Sequence, residues 1–166
     1  IWQSVWMEPV AETSIERLEI VPNVDDSTVS VRAVVRGDTE NAQLVVFLRQ
    51  IGQIAFGNAE ETITIPVEDA RLWSPDDPFL YDLSVTLQRA GNSLDQVDSY
   101  FAMRKISIEP DEAGVARIML NGEPIFQYGP LDQGYWPDGI LTPPSDDAAR
   151  YDLQYLKDIG CNMVRV

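Results

Sequence analysis

Histidine is absent from this sequence, and cysteine occurs once in 166 residues, at Cys161. The first absence removes the usual base of a nucleophile triad together with the commonest metal ligand. The second excludes an internal disulfide and any metal site built on paired cysteines. Basic residues are also scarce, 12 Lys and Arg against 27 Asp and Glu, for a formal charge of −15. Neutralising phosphates needs clustered cations, so nucleic acid is excluded as a partner and anionic membrane surfaces are disfavoured. No run approaches the ~20 apolar residues of a membrane span. The opening Ile1-Trp2-Gln3-Ser4 lacks the basic region and apolar run of a signal peptide. What remains is 45% apolar and 23% charged, the composition of a globular chain.

The first hundred residues carry strand periodicity. Val29, Val31, Ala33 and Val35 alternate with Ser30, Arg32, Val34 and Arg36. Ile63 and Ile65 alternate with Thr62 and Thr64, and Leu83, Val85 and Leu87 with Ser84, Thr86 and Gln88. Such alternation demands one buried and one wet face per strand. Turn residues at Asn23 to Ser27, Gly37-Asp38, Gly57-Asn58, Ser74 to Pro78 and Gly91-Asn92 separate the runs. About seven strands are predicted between Ile15 and Ile108, the number of an immunoglobulin-like β-sandwich. Without a disulfide, its core must hold by packing alone.

Composition changes at Glu109-Pro110-Asp111-Glu112-Ala113-Gly114. Val115 to Leu120 and Ile125 to Tyr128 are predicted as short strands around Asn121-Gly122, a favoured hairpin dipeptide. A loop rich in Gly, Pro and aromatics runs from Gly129 to Pro144. Ser145 can cap a helix, with Asp146 and Asp147 in its first turn, where the macrodipole favours negative charge. Ala149, Leu153, Leu156 and Ile159 follow at helical spacing, Gly160 ends the helix, and Asn162 to Val166 begins a new strand. Strand, helix, strand is a βαβ unit. Standing alone it cannot bury both faces of a two-stranded sheet, so a cut from something larger is expected. Trp2, Val5, Trp6 and Val10 form an apolar strand with no turn before it, which points the same way.

Four segments resemble glycoside hydrolase family 2, the β-galactosidases, β-glucuronidases and β-mannosidases. Ile1 to Glu8 (IWQSVWME) resembles the last strand of the family's sugar-binding jelly roll. Leu72 to Tyr81 (LWSPDDPFLY) resembles the segment before the penultimate sandwich strand. Phe101 to Ile106 (FAMRKI) resembles the last sandwich strand leading to the barrel. Leu120 to Phe126 (LNGEPIF) resembles the hairpin into the first barrel strand, and Asn162 to Arg165 the second barrel strand. The resemblance implies a mainly β fold: an immunoglobulin-like β-sandwich followed by an incomplete βαβ from the start of a TIM barrel. The implied divisions are 1–12 for the jelly-roll strand, 13–109 for the sandwich and 110–166 for the barrel fragment. Trp73 and Tyr81 are expected to seal one end of the sandwich as core and turn residues without a ligand role.

By that resemblance, the loop after the first barrel strand lies on the face where barrel enzymes assemble their sites. Asp132, Gln133, Tyr135 and Trp136 offer carboxylate, amide and aromatic faces for a sugar. Arg165, near the matching end of the second strand, could bond a substrate oxygen or orient a carboxylate. The opposite reading, a rim loop that only packs and an arginine in a structural ion pair, stands beside this one. Where many relatives carry a basic, histidine-containing loop, this chain has Pro130-Leu131-Asp132-Gln133. That departure speaks against a β-galactosidase and leaves the sugar open. Retaining glycosidases use two carboxyl groups about 5 to 5.5 Å apart; the family's pair are glutamates on later strands, the acid following an asparagine, and no Asn-Glu dipeptide occurs here.

The expectation is therefore a non-catalytic spacer or scaffold, partnered by the rest of its own enzyme and, in that enzyme, by a carbohydrate substrate. The parent would hydrolyse β-linked glycosides with retention and without a required cofactor or metal. Exposed edges would favour self-association of the fragment. The rival readings are an autonomous carbohydrate-binding module and a cell-surface immunoglobulin-like module. The compartment stays open, with a periplasmic or secreted setting favoured.

Overall fold

A computed structural model describes residues 5–166. The chain divides into two compact units, Pro9–Pro124 and Ile125–Val166, the latter with residues up to Glu8.

Seven strands build the sandwich: β1 (Ser14–Asn23), β2 (Thr28–Arg36), β3 (Ala42–Leu48), β4 (Gln53–Asn58), β5 (Ile63–Pro66), β6 (Tyr81–Arg89) and β7 (Asn92–Phe101). They form one antiparallel sheet in the order β1-β2-β5 and a second in the order β4-β3-β6-β7. Three strands facing four, with the fourth strand paired to the third, is an immunoglobulin-like β-sandwich. The predicted alternation becomes part of the core: Val29, Val31, Leu83, Val85 and Leu87 are fully buried with Ala33, Ile63 and Ile65 beside them, while Val35 is only partly buried. Leu44 and Val46 of β3, which no predicted alternation named, complete it. Cys161 is free, so this core holds without a cross-link.

Two turns differ from expectation. The β6–β7 hairpin turns on Ala90-Gly91, one residue earlier than Gly91-Asn92, with φ values of 51° and 80° and Arg89 paired to Asn92. Two successive positive φ values are the type I′ turn that suits twisted strands. Gly57 is not a turn residue but lies inside β4, because a Cβ there would stand 2.8 Å from the Ile63 side chain. Glu60-Glu61 occupies the turn before β5, where the Asn58 N–H donates to the Glu61 carboxylate at 3.1 Å.

The Leu72–Tyr81 segment makes a corner. Tyr81 is buried at the start of β6, and its hydroxyl accepts the Arg71 N–H at 2.8 Å, bonding back to upstream backbone as a tyrosine corner does. Phe79 meets the Tyr81 ring edge-on at 4.9 Å, and Phe101 stacks on it at 5.2 Å. Arg71 grips the Asp77 carboxylate with two nitrogens and lies 4.4 Å over the Phe79 ring. Trp73 is half-buried beneath the Arg104 guanidinium at 5.0 Å.

Phe101 is the last residue of β7, so the Phe101–Ile106 segment only begins in that strand. A third antiparallel sheet follows, β8 (Ile106–Pro110), β9 (Ala116–Leu120) and β10 (Glu123–Pro124), in the order β10-β9-β8. Of the Glu109–Gly114 stretch, Glu109 and Pro110 end β8 and are paired with Arg117 and Ala116; the first turn spans residues 111–115. There the Asp111 carboxylate accepts the N–H groups of Ala113 and Val115 and the Nε–H of Arg117. Asn121 and Gly122, at φ 54° and 86°, make the second turn, which pairs Leu120 with Glu123.

The Ile125–Val166 unit holds helix α1 (Asp146–Asp158). The Ser145 hydroxyl accepts the Ala148 N–H at its start. At its end, Gly160 at φ 91° donates to Lys157 O and Cys161 donates to Leu156 O, the paired bonds of a Schellman motif. Ile125–Tyr128 is not a regular strand; residues 126–132 run parallel to 162–165 through a few bonds only. Of the expected N-terminal strand, Trp2 lies outside the described residues, and Val5–Val10 is exposed and pairs with no strand.

Candidate functional site

The loop carrying the four candidate residues leaves this parallel pair. Gly129 permits the pair to form: a Cβ there would collide with the Met163 carbonyl oxygen. Asn162 then takes the place of ladder groups. Its N–H donates to Tyr128 O at 2.9 Å, its side-chain carbonyl accepts the Tyr128 N–H at 2.8 Å, and its amide donates to Phe126 O at 2.8 Å. The sequence pattern places Asn162 only at the start of a strand; an asparagine there, with a glycine on the facing segment, is the signal for this bonding.

That register sets the site. The Arg165 N–H donates to Pro130 O at 3.1 Å, and the Asp132 N–H donates to Arg165 O at 2.8 Å, so the two charged residues meet through their backbones. The Asp132 carboxylate turns back on its own loop and accepts the Gly134 N–H at 2.7 Å. Trp136 and Ile140 exchange backbone bonds of 2.8 and 3.2 Å, closing a small hairpin. Ile140 is held there at φ 57°, a left-handed conformation that is costly for a β-branched side chain, about 1–3 kcal/mol.

A cavity of about 470 Å³ opens beside the loop. Asp132, Tyr135 and Trp136 line it, with Leu153 and Leu156 of α1 and Val164 of the 162–166 segment, which makes one isolated bridge and is not the regular strand expected. Gln133 and Arg165 are not among its walls; Arg165 is one residue out of phase with Val164 and Val166, which are. The structure thus gathers three of the five predicted residues and leaves the amide and the cation outside. Most of the wall is apolar or aromatic, with Asp132 and Asp152 as its two charged residues. Among the described residues Arg165 makes no ion pair with a side chain, against the structural-pair reading.

Elsewhere the carboxylates are engaged singly with donors. Asp77 is held below the usual carboxylate range by Arg71, Glu19 by Arg32 and Arg17, and Asp98 by the Ser84 hydroxyl and Arg49. Asp111 is lowered by Arg117 and the Val115 N–H, and Glu61 by Asn58. Among the described residues no group of three or more His, Cys, Asp or Glu is placed to hold a metal ion. No described helix is long and apolar enough to cross a membrane.

Residues 3–104 match the sequence model of glycosyl hydrolases family 2. The chain belongs to glycosyl hydrolases family 2. Among family 2 relatives it resembles a putative β-glucuronidase of Formosa agariphila, 24% identical over all of this chain and 21% of that protein. It also resembles a β-galactosidase of Thermoanaerobacter pseudethanolicus, 25% identical over 99% of this chain and 23% of that one. The fold matches an FMN-binding β-glucuronidase from Faecalibacterium prausnitzii with a TM-score of 0.76 at 20% identity, covering 95% of this chain and 26% of that one. The chain therefore spans about a fifth of the length of the curated family 2 proteins it matches.

Proposed function

We propose that this chain is the non-catalytic, spacer-bearing part of a family 2 enzyme that hydrolyses β-linked glycosides with retention and without a required cofactor. In this reading residues 1–12 are the tail of a jelly roll, 13–109 the spacer sandwich and 110–166 the head of a TIM barrel. Asp132, Gln133, Tyr135, Trp136 and Arg165 would meet carbohydrate only once the remaining barrel strands surround them. The observation that carries the proposal is coverage: the chain spans 21% and 23% of the two relatives named above, and no Asn-Glu dipeptide occurs in it. The carboxyl groups agree with this reading. A glycosidase acid is held protonated near neutrality by a raised pKa, whereas every shifted carboxyl group among the described residues is lowered by a cation, hydroxyl or amide partner. The test is to incubate the purified chain with chromogenic β-glucuronide, β-galactoside and β-mannoside. No release above buffer is expected, and turnover that follows the chain through purification would overturn the proposal.

A second reading has one specific observation in its favour. On the outer face of the four-stranded sheet, Val45 pairs with Phe56 and Phe47 with Ile54, and the Phe56 ring is 66% exposed. An exposed ring on a flat sheet is the kind of platform a carbohydrate-binding module uses. Saturable binding of a β-glucan or galactan by the chain, abolished by Phe56→Ala, would favour the module over the spacer.

A further inference from the structure

One residue ties three distant stretches of the first unit together. Asn121 sits at the first position of the β9–β10 turn, half-buried, with φ at 54°. Its backbone N–H donates to Lys105 O at 2.8 Å. Its side-chain carbonyl accepts the Lys105 N–H at 2.9 Å, and its side-chain amide donates to Trp73 O at 3.0 Å. Trp73 is in turn fixed to the chain leaving β7, since its N–H donates to Met103 O at 2.9 Å and Leu72 bridges Met103 in parallel. Thus one side chain joins the corner before β6, the exit of β7 and the turn that leads out of β9.

The turn itself does not need these bonds. A type I′ turn asks only for two residues that tolerate positive φ, which glycine does at least as well as asparagine. The side chain of Asn121 therefore adds something beyond turn formation. It satisfies the Lys105 amide and the Trp73 carbonyl, backbone groups of two segments that no strand ladder pairs with each other. The apolar neighbours reinforce the junction: Met103, Met119 and Leu120 are buried there.

We propose that Asn121 is a positioning residue, a latch that fixes the direction in which the β8–β9–β10 sheet leaves the sandwich. This rests on the spacer reading, because a spacer transmits geometry only if its exit is rigid. The Asn121–Lys105 bond continues the β8–β9 pairing past Ile106–Leu120, and the Asn121–Trp73 bond ties that paired end to the corner before β6, so the hairpin's orientation depends on this side chain and not on the turn type. Losing them frees the hairpin to pivot while the sandwich core stays folded.

The experiment compares the whole chain with Asn121→Gly and Asn121→Asp by amide hydrogen exchange and residual dipolar couplings. Glycine keeps the turn and removes both side-chain bonds. Aspartate keeps an acceptor for the Lys105 N–H and loses the donor to Trp73. In Asn121→Gly the Lys105 amide is expected to exchange on the order of tenfold faster or more, as for a lost one or two hydrogen bonds. Couplings of Ile118 and Met119 should shrink in the same variant, while the amides of Leu44 and Val85 keep their wild-type protection. Asn121→Asp should retain most of the Lys105 protection. Unchanged exchange at Lys105 in the glycine variant, or equal loss at Leu44 and Val85, would overturn the latch. The first outcome would mean the bonds are idle, the second that Asn121 only supports global stability. Neither outcome bears on whether the chain hydrolyses a glycoside, so failure here is separable from failure of the spacer reading.

Discussion

At the scale of single residues, this chain spends its special side chains on backbone groups. Tyr81, Asn121, Asn162 and Asp111 all use side-chain atoms to bond main-chain groups of other segments or turns. That is how short, irregular stretches between sheets satisfy donors that a ladder would otherwise take. Tyr81 allows the cleanest test. Tyr81→Phe keeps the stacking on Phe101 and the edge contact from Phe79 but strands the Arg71 N–H. Its urea midpoint should fall by the equivalent of about 1–3 kcal/mol with no change in the slope. A variant as stable as wild type would mean that water replaces the hydroxyl. These residues were only partly legible. Tyr81 was expected to seal one end of the sandwich, and it does; that Arg71 supplies the bond could not be read, because it depends on where a ten-residue excursion returns. Gly57, expected in a turn, lies in β4 for a related reason: a glycine signals a turn or a close approach equally well, and only the neighbouring Ile63 decides which.

At the scale of elements, the β8–β9 turn is where protonation matters. Asp111 sits below its ordinary range because the Arg117 guanidinium, then the Val115 N–H, bond its charged form. A depressed folded pKa stabilises the structure fully above the unfolded value, near 4, and that contribution disappears as pH falls through the folded value. The turn should therefore loosen below about pH 4 and not on the alkaline side. Exchange or chemical shifts of the Ala113 and Val115 amides, followed from pH 6 to 2, should report this, and Asp111→Asn should remove most of the pH dependence. A midpoint at the ordinary carboxylate value would show that the Arg117 contact is not made in solution. The stretch around Asp111 looked in sequence like a composition break between domains. Its role as a bonded turn inside one sheet depends on Arg117, six residues on, which no local pattern reveals. By contrast helix α1 was legible to its ends, because Ser145 and Gly160 act within a few residues of their own positions.

At the scale of the whole molecule, the two units differ in kind. The sandwich has a continuous core of fully buried side chains on seven strands. In the described part of the other unit no residue is buried, and Tyr151, Leu153 and Tyr155 of α1 are more than half exposed. Local stability follows buried apolar contact, so the two should not unfold together. Amides of α1 are expected to exchange at least a hundredfold faster than those of β3 and β6, on the order of a 3 kcal/mol gap in opening free energy. Equal protection of both would mean that α1 finds cover in solution that the isolated unit does not provide. The same exposure explains why the candidate site was only half legible. The sequence could nominate Asp132, Tyr135 and Trp136, which share a cavity, but could not tell that Gln133 and Arg165 stay outside it, since that depends on the register of the extended segment held by Asn162.

The amino-acid order alone determined which residues are buried on β2, β5 and β6, apart from the half-covered Val35, and where α1 starts and stops. Those follow from period and capping, both of which act over a few neighbours. Only the folded chain decided which glycines are turns and which are contacts, how a corner is bolted to a hairpin 48 residues away through Asn121 and Trp73, and which rim residues come together. These depend on the meeting of segments remote in sequence, and the energies that select them arise only when those segments touch.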